Sequence, residues 1–184
     1  MLGGTFDPPH IAHLVAGEAA YRDLGVDVVT FLPAGRPWQK AGTGVSGAEH
    51  RREMTSLAVA DVAYFEDDDR EVRRDGWTYT ADTLDSFPGE DEIVLVLGAD
   101  AAARIRTWHR WEYVLERAEI AVMARPGASL ADVAEAVGPC HVLDAPLLQV
   151  SGTELRERCR RGSSIRFLVP DPVRAYIAEH HLYA

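Results

Sequence analysis

The chain has 184 residues, long enough for one domain with a substantial core and short for two, so residues 1–184 are expected to form a single domain. Its formal net charge of -10 argues against non-specific nucleic-acid binding, which draws on an excess of lysine and arginine. Two cysteines without CxxC or framework spacing point to a reducing cytoplasm, and the lack of any leader pattern or apolar run near the ~20 residues of a membrane span points away from a membrane.

The chain opens on Gly3-Gly4-Thr5-Phe6-Asp7-Pro8-Pro9-His10-Ile11-Ala12-His13, with only Met1 and Leu2 before the glycines, so a first strand there is expected to be shortened. Residues 11–23 read as a helix with Leu14, Val15, Glu18 and Ala19 inward, ended by Gly25. Residues 26–32 are a β-branched run closed by Pro33, a buried strand. Residues 34–44 form a Gly- and Pro-rich loop carrying Trp38, Gln39 and Lys40. Ser46 and Glu49 match a capping box, opening a helix to about residue 60 with Met54, Leu57 and Ala58 inward.

Residues 62–66 read as a short strand and 67–75 as a charged, solvated loop. Residues 78–87 read as loop then helix. Residues 93–97, Ile-Val-Leu-Val-Leu, carry the strongest strand signal, ending at Gly98-Ala99-Asp100. Residues 101–116 read as helix in two pieces around Trp108, and 120–123 as a strand before Arg125. A helix at 129–137, a strand at 141–143, and helices from about Ser151 and Asp171 complete the chain. For Trp111 the core is the expected place, and Arg158, Arg160 and Arg161 read as a solvated face. Alternating strands and helices predict an α/β fold, Rossmann-like and doubly wound, its mostly parallel sheet carrying helices on both faces. Ligands in such sheets bind beyond the carboxyl ends of the strands.

The opening loop carries the chemistry. Paired glycines let backbone approach a ligand and tolerate positive φ, and a helix starting just after them aims unpaired N–H groups at an anion. His10 and His13, three apart, share one helix face. Zinc fits poorly, since helix-borne zinc histidines sit four apart with a supporting carboxylate.

As a whole this stretch resembles the (H/T)-x-G-H signature of the nucleotidyltransferase superfamily, and more narrowly the G-G-T-F-D-P-x-H-x-G-H opening of bacterial nicotinate-nucleotide adenylyltransferases, with Ala12 in the place of the glycine between the histidines. Trp38-Gln39-Lys40 is similar to the family's P-x-x-x-x-H-K/R segment, Gly76-Trp77-Thr78-Tyr79-Thr80 to its G-P-S-Y-T, Gly98-Ala99-Asp100 to its G-x-D, and Ser151-Gly152-Thr153-Glu154-Leu155-Arg156 to its S-S-T-x-I-R.

The resemblance implies transfer of the adenylyl group of ATP to nicotinate mononucleotide, giving nicotinate adenine dinucleotide and pyrophosphate, a step of NAD synthesis. It implies His13 and His10 as catalytic groups, and Gly3, Gly4, Thr5, Phe6, Gly98, Asp100, Arg125, Ser151, Thr153 and Arg156 beside them on ATP and its phosphates. Lys40, Thr78, Tyr79, Thr80 and Trp108 would hold nicotinate mononucleotide, with Trp108 stacked on the pyridine ring. Mg2+ would ride on the ATP phosphates rather than in a protein cage. A nicotinamide-mononucleotide adenylyltransferase, a cytidylyltransferase or a nucleotide-binding module with little catalysis stand as alternatives, and the sequence leaves open whether the chain is a homo-oligomer.

Overall fold

The computed structural model describes every residue except Ala41, Thr43, Arg125, Pro126 and Ala128. The strands are β1 (Leu2–Gly4), β2 (Val29–Pro33), β3 (Phe65–Asp67), β4 (Val94–Gly98), β5 (Glu119–Met123) and β6 (His141–Leu143). The helices are α1 (Ile11–Leu24), α2 (Ala48–Val59), α3 (Arg70–Arg73), α4 (Thr80–Leu84), α5 (Ala99–Ala102), α6 (Trp111–Arg117), α7 (Leu130–Val137), α8 (Gly152–Arg160) and α9 (Asp171–Glu179).

All named strand pairs are parallel, in the runs β1-β2-β3 and β4-β5-β6. Met1 joins the two. Its carbonyl accepts from Val96 N–H at 2.9 Å and its amine donates to the Val94 carbonyl at 2.6 Å. One residue bonded to positions on either side of its neighbour is the parallel ladder pattern, so the whole sheet runs β3-β2-β1-β4-β5-β6. The three-residue β1 is therefore central. Strand order reverses between β1 and β4, and such a switch point leaves a crevice above the carboxyl ends.

Side chains alternate between the two faces as the strand period requires. On β4, Leu95 and Leu97 join a core with Leu84, Ile105, Val114 and Val133, whereas Val96 joins Phe31, Met54, Leu155 and Val173 on the other face. Helices α1, α2, α8 and α9 cover the second face, and α4 to α7 the first. Among the described residues no helix is long and apolar enough to cross a membrane, and Cys140 and Cys159 are free thiols.

Several boundaries and faces differ from expectation. The buried face of α1 is Ala16, Gly17, Ala19 and Ala20, while Glu18 is exposed and accepts a hydrogen bond from Tyr64. Small residues are required there because a Cβ on Gly17 would stand 2.7 Å from the Phe31 ring and 2.9 Å from that of Phe65. No Ser46 capping box forms: α2 starts one residue later, with Gly47 as N-cap, because Ser46 donates its N–H to Asp7 and gives its carbonyl to Arg51. The charged stretch 67–75 contains α3, with Glu71 buried. Trp111 is only partly buried, with the Arg106 guanidinium over its ring at 5.6 Å.

Candidate active site

A cavity of about 410 Å³ opens at the switch point. Its walls come from the ends of β1, β2, β4 and β5 and the segments that follow them, through Gly3, Gly4, Ala34, Gly98 and Met123. Of the residues singled out in the sequence, Gly3, Gly4, Thr5, His10, His13, Thr78, Tyr79, Thr80, Gly98, Asp100 and Trp108 line it together.

His10 is the N-cap of α1 and is buried, and its ring stacks on that of His13 with centroids 3.7 Å apart. The His10 backbone N–H donates to His13 Nδ1 at 3.1 Å. A backbone N–H can only donate, so Nδ1 is held as an acceptor and Nε2 carries the imidazole hydrogen. His13 thereby presents an N–H donor at the positive end of a 14-residue helix, an arrangement suited to an anionic oxygen. Phe6 meets the His13 ring edge-on at 4.9 Å, but its own side chain lies in the core and does not line the cavity. Of the two glycines before it, Gly4 serves close approach rather than positive φ: a Cβ there would stand 2.9 Å from the Phe6 ring, whereas one on Gly3 would meet nothing, and it is Phe6 that adopts φ 48°.

A cationic group sits beside the loop. Arg156 on α8 donates Nη1 to the Asp7 carbonyl at 2.7 Å, with Nη2 at 3.3 Å from Thr153 Oγ1. Lys40 feels the charges of Arg156, Asp7 and Arg51, and its pKa falls through partial desolvation first and Arg156 second. Lys40, Ser151, Thr153 and Arg156 do not line the cavity itself. Ser151 caps α8 by accepting from Glu154 N–H at 3.2 Å, the expected half of its capping box. Arg125 lies outside the described residues.

On the opposite side, Thr78 is tied to the loop after β2. Its N–H donates to the Arg36 carbonyl at 2.9 Å and its hydroxyl accepts from Arg36 N–H at 3.0 Å. This short bridge sets Trp38 near Tyr79, centroids 6.2 Å apart, and Tyr79 packs on His109 at 4.6 Å. Trp38, Tyr79, Trp108 and His109 form an aromatic wall able to take a flat ring. The indole N–H of Trp108 is buried and meets no acceptor among the described residues.

Three residues outside the sequence reading hold this site. Arg51, 1% exposed, gives its guanidinium to the carbonyls of Thr5, Ala34, Gly35 and Ser46, stitching the loops after β1 and β2 together; burial lowers its pKa. Its sequence signal is an arginine in register with Met54 and Ala58 on the inward face of α2. Glu71 lines the cavity floor, accepts from Thr83 Oγ1 at 2.6 Å, and is pushed up by burial to about 7. Asp7, inside the opening motif, is 4% exposed and accepts from Ser46 N–H and the Tyr183 hydroxyl.

The cytidylyltransferase-like family model matches residues 1–158. Relatives named "Probable nicotinate-nucleotide adenylyltransferase" include one from Bordetella pertussis, 40% identical over 190 residues with 100% of this chain and 96% of the relative covered. One from Frankia alni is 42% identical over 186 residues, covering 99% and 98%. A solved structure of Plasmodium falciparum nicotinic acid mononucleotide adenylyltransferase complexed with NaAD superposes with a TM-score of 0.79 at 17% identity, covering 99% of this chain and 95% of that one; it carries the fold alone. The chain belongs to the cytidylyltransferase-like family and, within it, to the nicotinate-nucleotide adenylyltransferases.

Proposed function

We propose, from that membership and from the site's geometry, that the cavity transfers the adenylyl group of ATP to nicotinate mononucleotide. The observation that carries the residue roles is the His13 imidazole, which lines the cavity with its Nδ1 held by a backbone N–H, so that the ring hydrogen is on Nε2. The acceptor's phosphate attacks the α-phosphorus in line, forming the new P–O bond as the bond to the pyrophosphate oxygen breaks. No covalent enzyme intermediate is needed, and catalysis consists of positioning and charge neutralisation. His13 donates to an α-phosphoryl oxygen where negative charge builds, and His10 fixes its plane by stacking. Lys40 takes the acceptor phosphate. Arg156, with Ser151 and Thr153 at the start of α8, takes the departing pyrophosphate.

Trp108 and Tyr79 receive the pyridine ring, the backbone at Tyr79 and Thr80 its carboxylate, and Asp100 ribose hydroxyls. The magnesium ion enters on the triphosphate as part of the substrate. Among the described residues no three His, Cys, Asp or Glu side chains converge as a metal site, and phosphates and water suffice as its ligands. A cytoplasmic setting belongs to the same reading, supported by the two free thiols.

The test is pyrophosphate release from ATP and Mg2+ with an acceptor panel. Nicotinate mononucleotide is expected to be turned over in preference to its amide and to other phosphoryl acceptors. His13→Ala should lower kcat on the order of 10²-fold, the loss of one transition-state donor. Near-normal turnover by that variant would remove His13 from the mechanism.

A further inference from the structure

The residues that follow α9 fold back onto the opening loop. Tyr183 donates its hydroxyl to Asp7 Oδ1 at 2.6 Å, near Met54 Sδ at 3.9 Å. The Ser46 side chain meets the same hydroxyl. To reach that place His181 and Tyr183 adopt φ of 50° and 68°, a left-handed conformation that L side chains seldom take. Burial first, then the adjacent carboxylate, raise the Tyr183 pKa, so the phenol remains a donor across any assay range.

The Asp7 carboxylate, its side chain 2% exposed, has one oxygen on Tyr183 and the other on the Ser46 N–H at 3.2 Å. Arg156 stands 3.7 Å from Oδ2 but spends Nη1 on the Asp7 backbone carbonyl and Nη2 on Thr153 Oγ1. A buried carboxylate seeks charged donors strongly. With the phenol removed, Arg156, already within 3.7 Å, is a cation placed to satisfy it. Nor can α8 move away as a unit without losing its seat, because Gly152 is packed so closely on the loop that a Cβ there would lie 2.8 Å from the Asp7 carbonyl oxygen.

We propose that Tyr183 is a positioning residue for the phosphate end of the site: by saturating the Asp7 carboxylate it keeps the Arg156 guanidinium available to the triphosphate. The inference rests on the adenylyltransferase reading above. It separates two roles for Asp7, whose carbonyl orients Arg156 and whose carboxylate would capture it if left unpaired.

The experiment compares steady-state kinetics of the full chain with those of Tyr183→Phe, which keeps the ring packed against the core and deletes only the hydroxyl. The expected result is a fall on the order of tenfold in kcat/KM for ATP, the scale of one hydrogen bond to a charged group, with KM for nicotinate mononucleotide unchanged within about twofold. Asp7→Asn is measured alone and with Tyr183→Phe in a double-mutant cycle. Once the residue at 7 is uncharged it no longer competes for Arg156, so adding Tyr183→Phe should cost no further activity. An equal loss toward both substrates, no loss, or simple additivity with Asp7→Asn would each overturn the proposal. Turnover by the unmodified chain decides the adenylyltransferase reading separately, since the role of Tyr183 is judged only from ratios to it.

Discussion

Glu71→Gln isolates the cost of an ionisable group on the cavity floor. Glu71 is 5% exposed, lies against α4 through Thr83, and has its pKa moved by burial from the ordinary 4.5 to about 7. Because the folded value lies above the unfolded one, the folded state holds its proton more tightly. The associated stability is fully present below pH 4.5 and is lost as pH rises through about 7. At about 1.36 kcal/mol for each pH unit between the two values, roughly 2 to 3 kcal/mol disappears between about pH 5 and pH 8. Glutamine keeps an oxygen for the Thr83 hydroxyl and does not titrate. Urea unfolding at the two pH values should therefore show the variant gaining on the unmodified chain by that amount at the higher pH, with little difference at the lower one. A stability difference that stays constant across the range would refute the argument that Glu71 is forced to ionise in a desolvated place.

Two further substitutions probe the brace and the helix seat. Arg51→Met keeps the stem and deletes a guanidinium bonded to four carbonyls; leaving those acceptors buried should cost about 3 to 5 kcal/mol, read as a lower urea midpoint, and near-equal stability would mean that water replaces it freely. Gly152→Ser restores the hydroxyl that the resemblance leads one to expect at this position, yet its Cβ would start 2.8 Å from the Asp7 carbonyl oxygen. The overpacking should cost about 1 to 3 kcal/mol and raise KM for ATP; unchanged kinetics would mean that α8 shifts without penalty.

Elements whose burial is set by one local run were legible in the chain. The apolar stretch at 93–97 became β4, the run before Pro33 became β2, and 141–143 was read to the residue. Where local and tertiary demands compete, the tertiary partner prevails. Ser46 has the pattern of an N-cap, but Asp7, Arg51 and Tyr183 all claim it, and α2 begins beyond it. Glu71 looked like one more charge in a solvated run because nothing near it in sequence announces the buried place that α3 gives it. On α1 the expected inward residues Ala19 and Leu14 do meet the core while Glu18 is exposed; Ala16, Gly17 and Ala20 complete the buried face because packing against Phe31 and Phe65 selects small residues, and a glycine leaves no apolar mark.

The candidate site divides along the same line. His10, His13, Thr78, Tyr79, Thr80, Gly98, Asp100 and Trp108 face the cavity from short segments between the strands, and each carries a pattern readable within a few residues. Arg51, Asp7 and Arg156 also stand in readable local patterns, but the partners they hold are far away in the chain. Arg51 reaches Thr5 across 46 residues, Arg156 reaches Asp7 across 149, and Tyr183 reaches Asp7 across 176. This follows from topology. A loop leaving a central strand at the switch point has neighbours from both halves of the sheet, so its braces must come from distant parts of the chain. The residues that face the cavity are thus written locally, whereas the placing of the segments that carry them depends on Arg51, Asp7 and Tyr183, whose partners only the fold supplies.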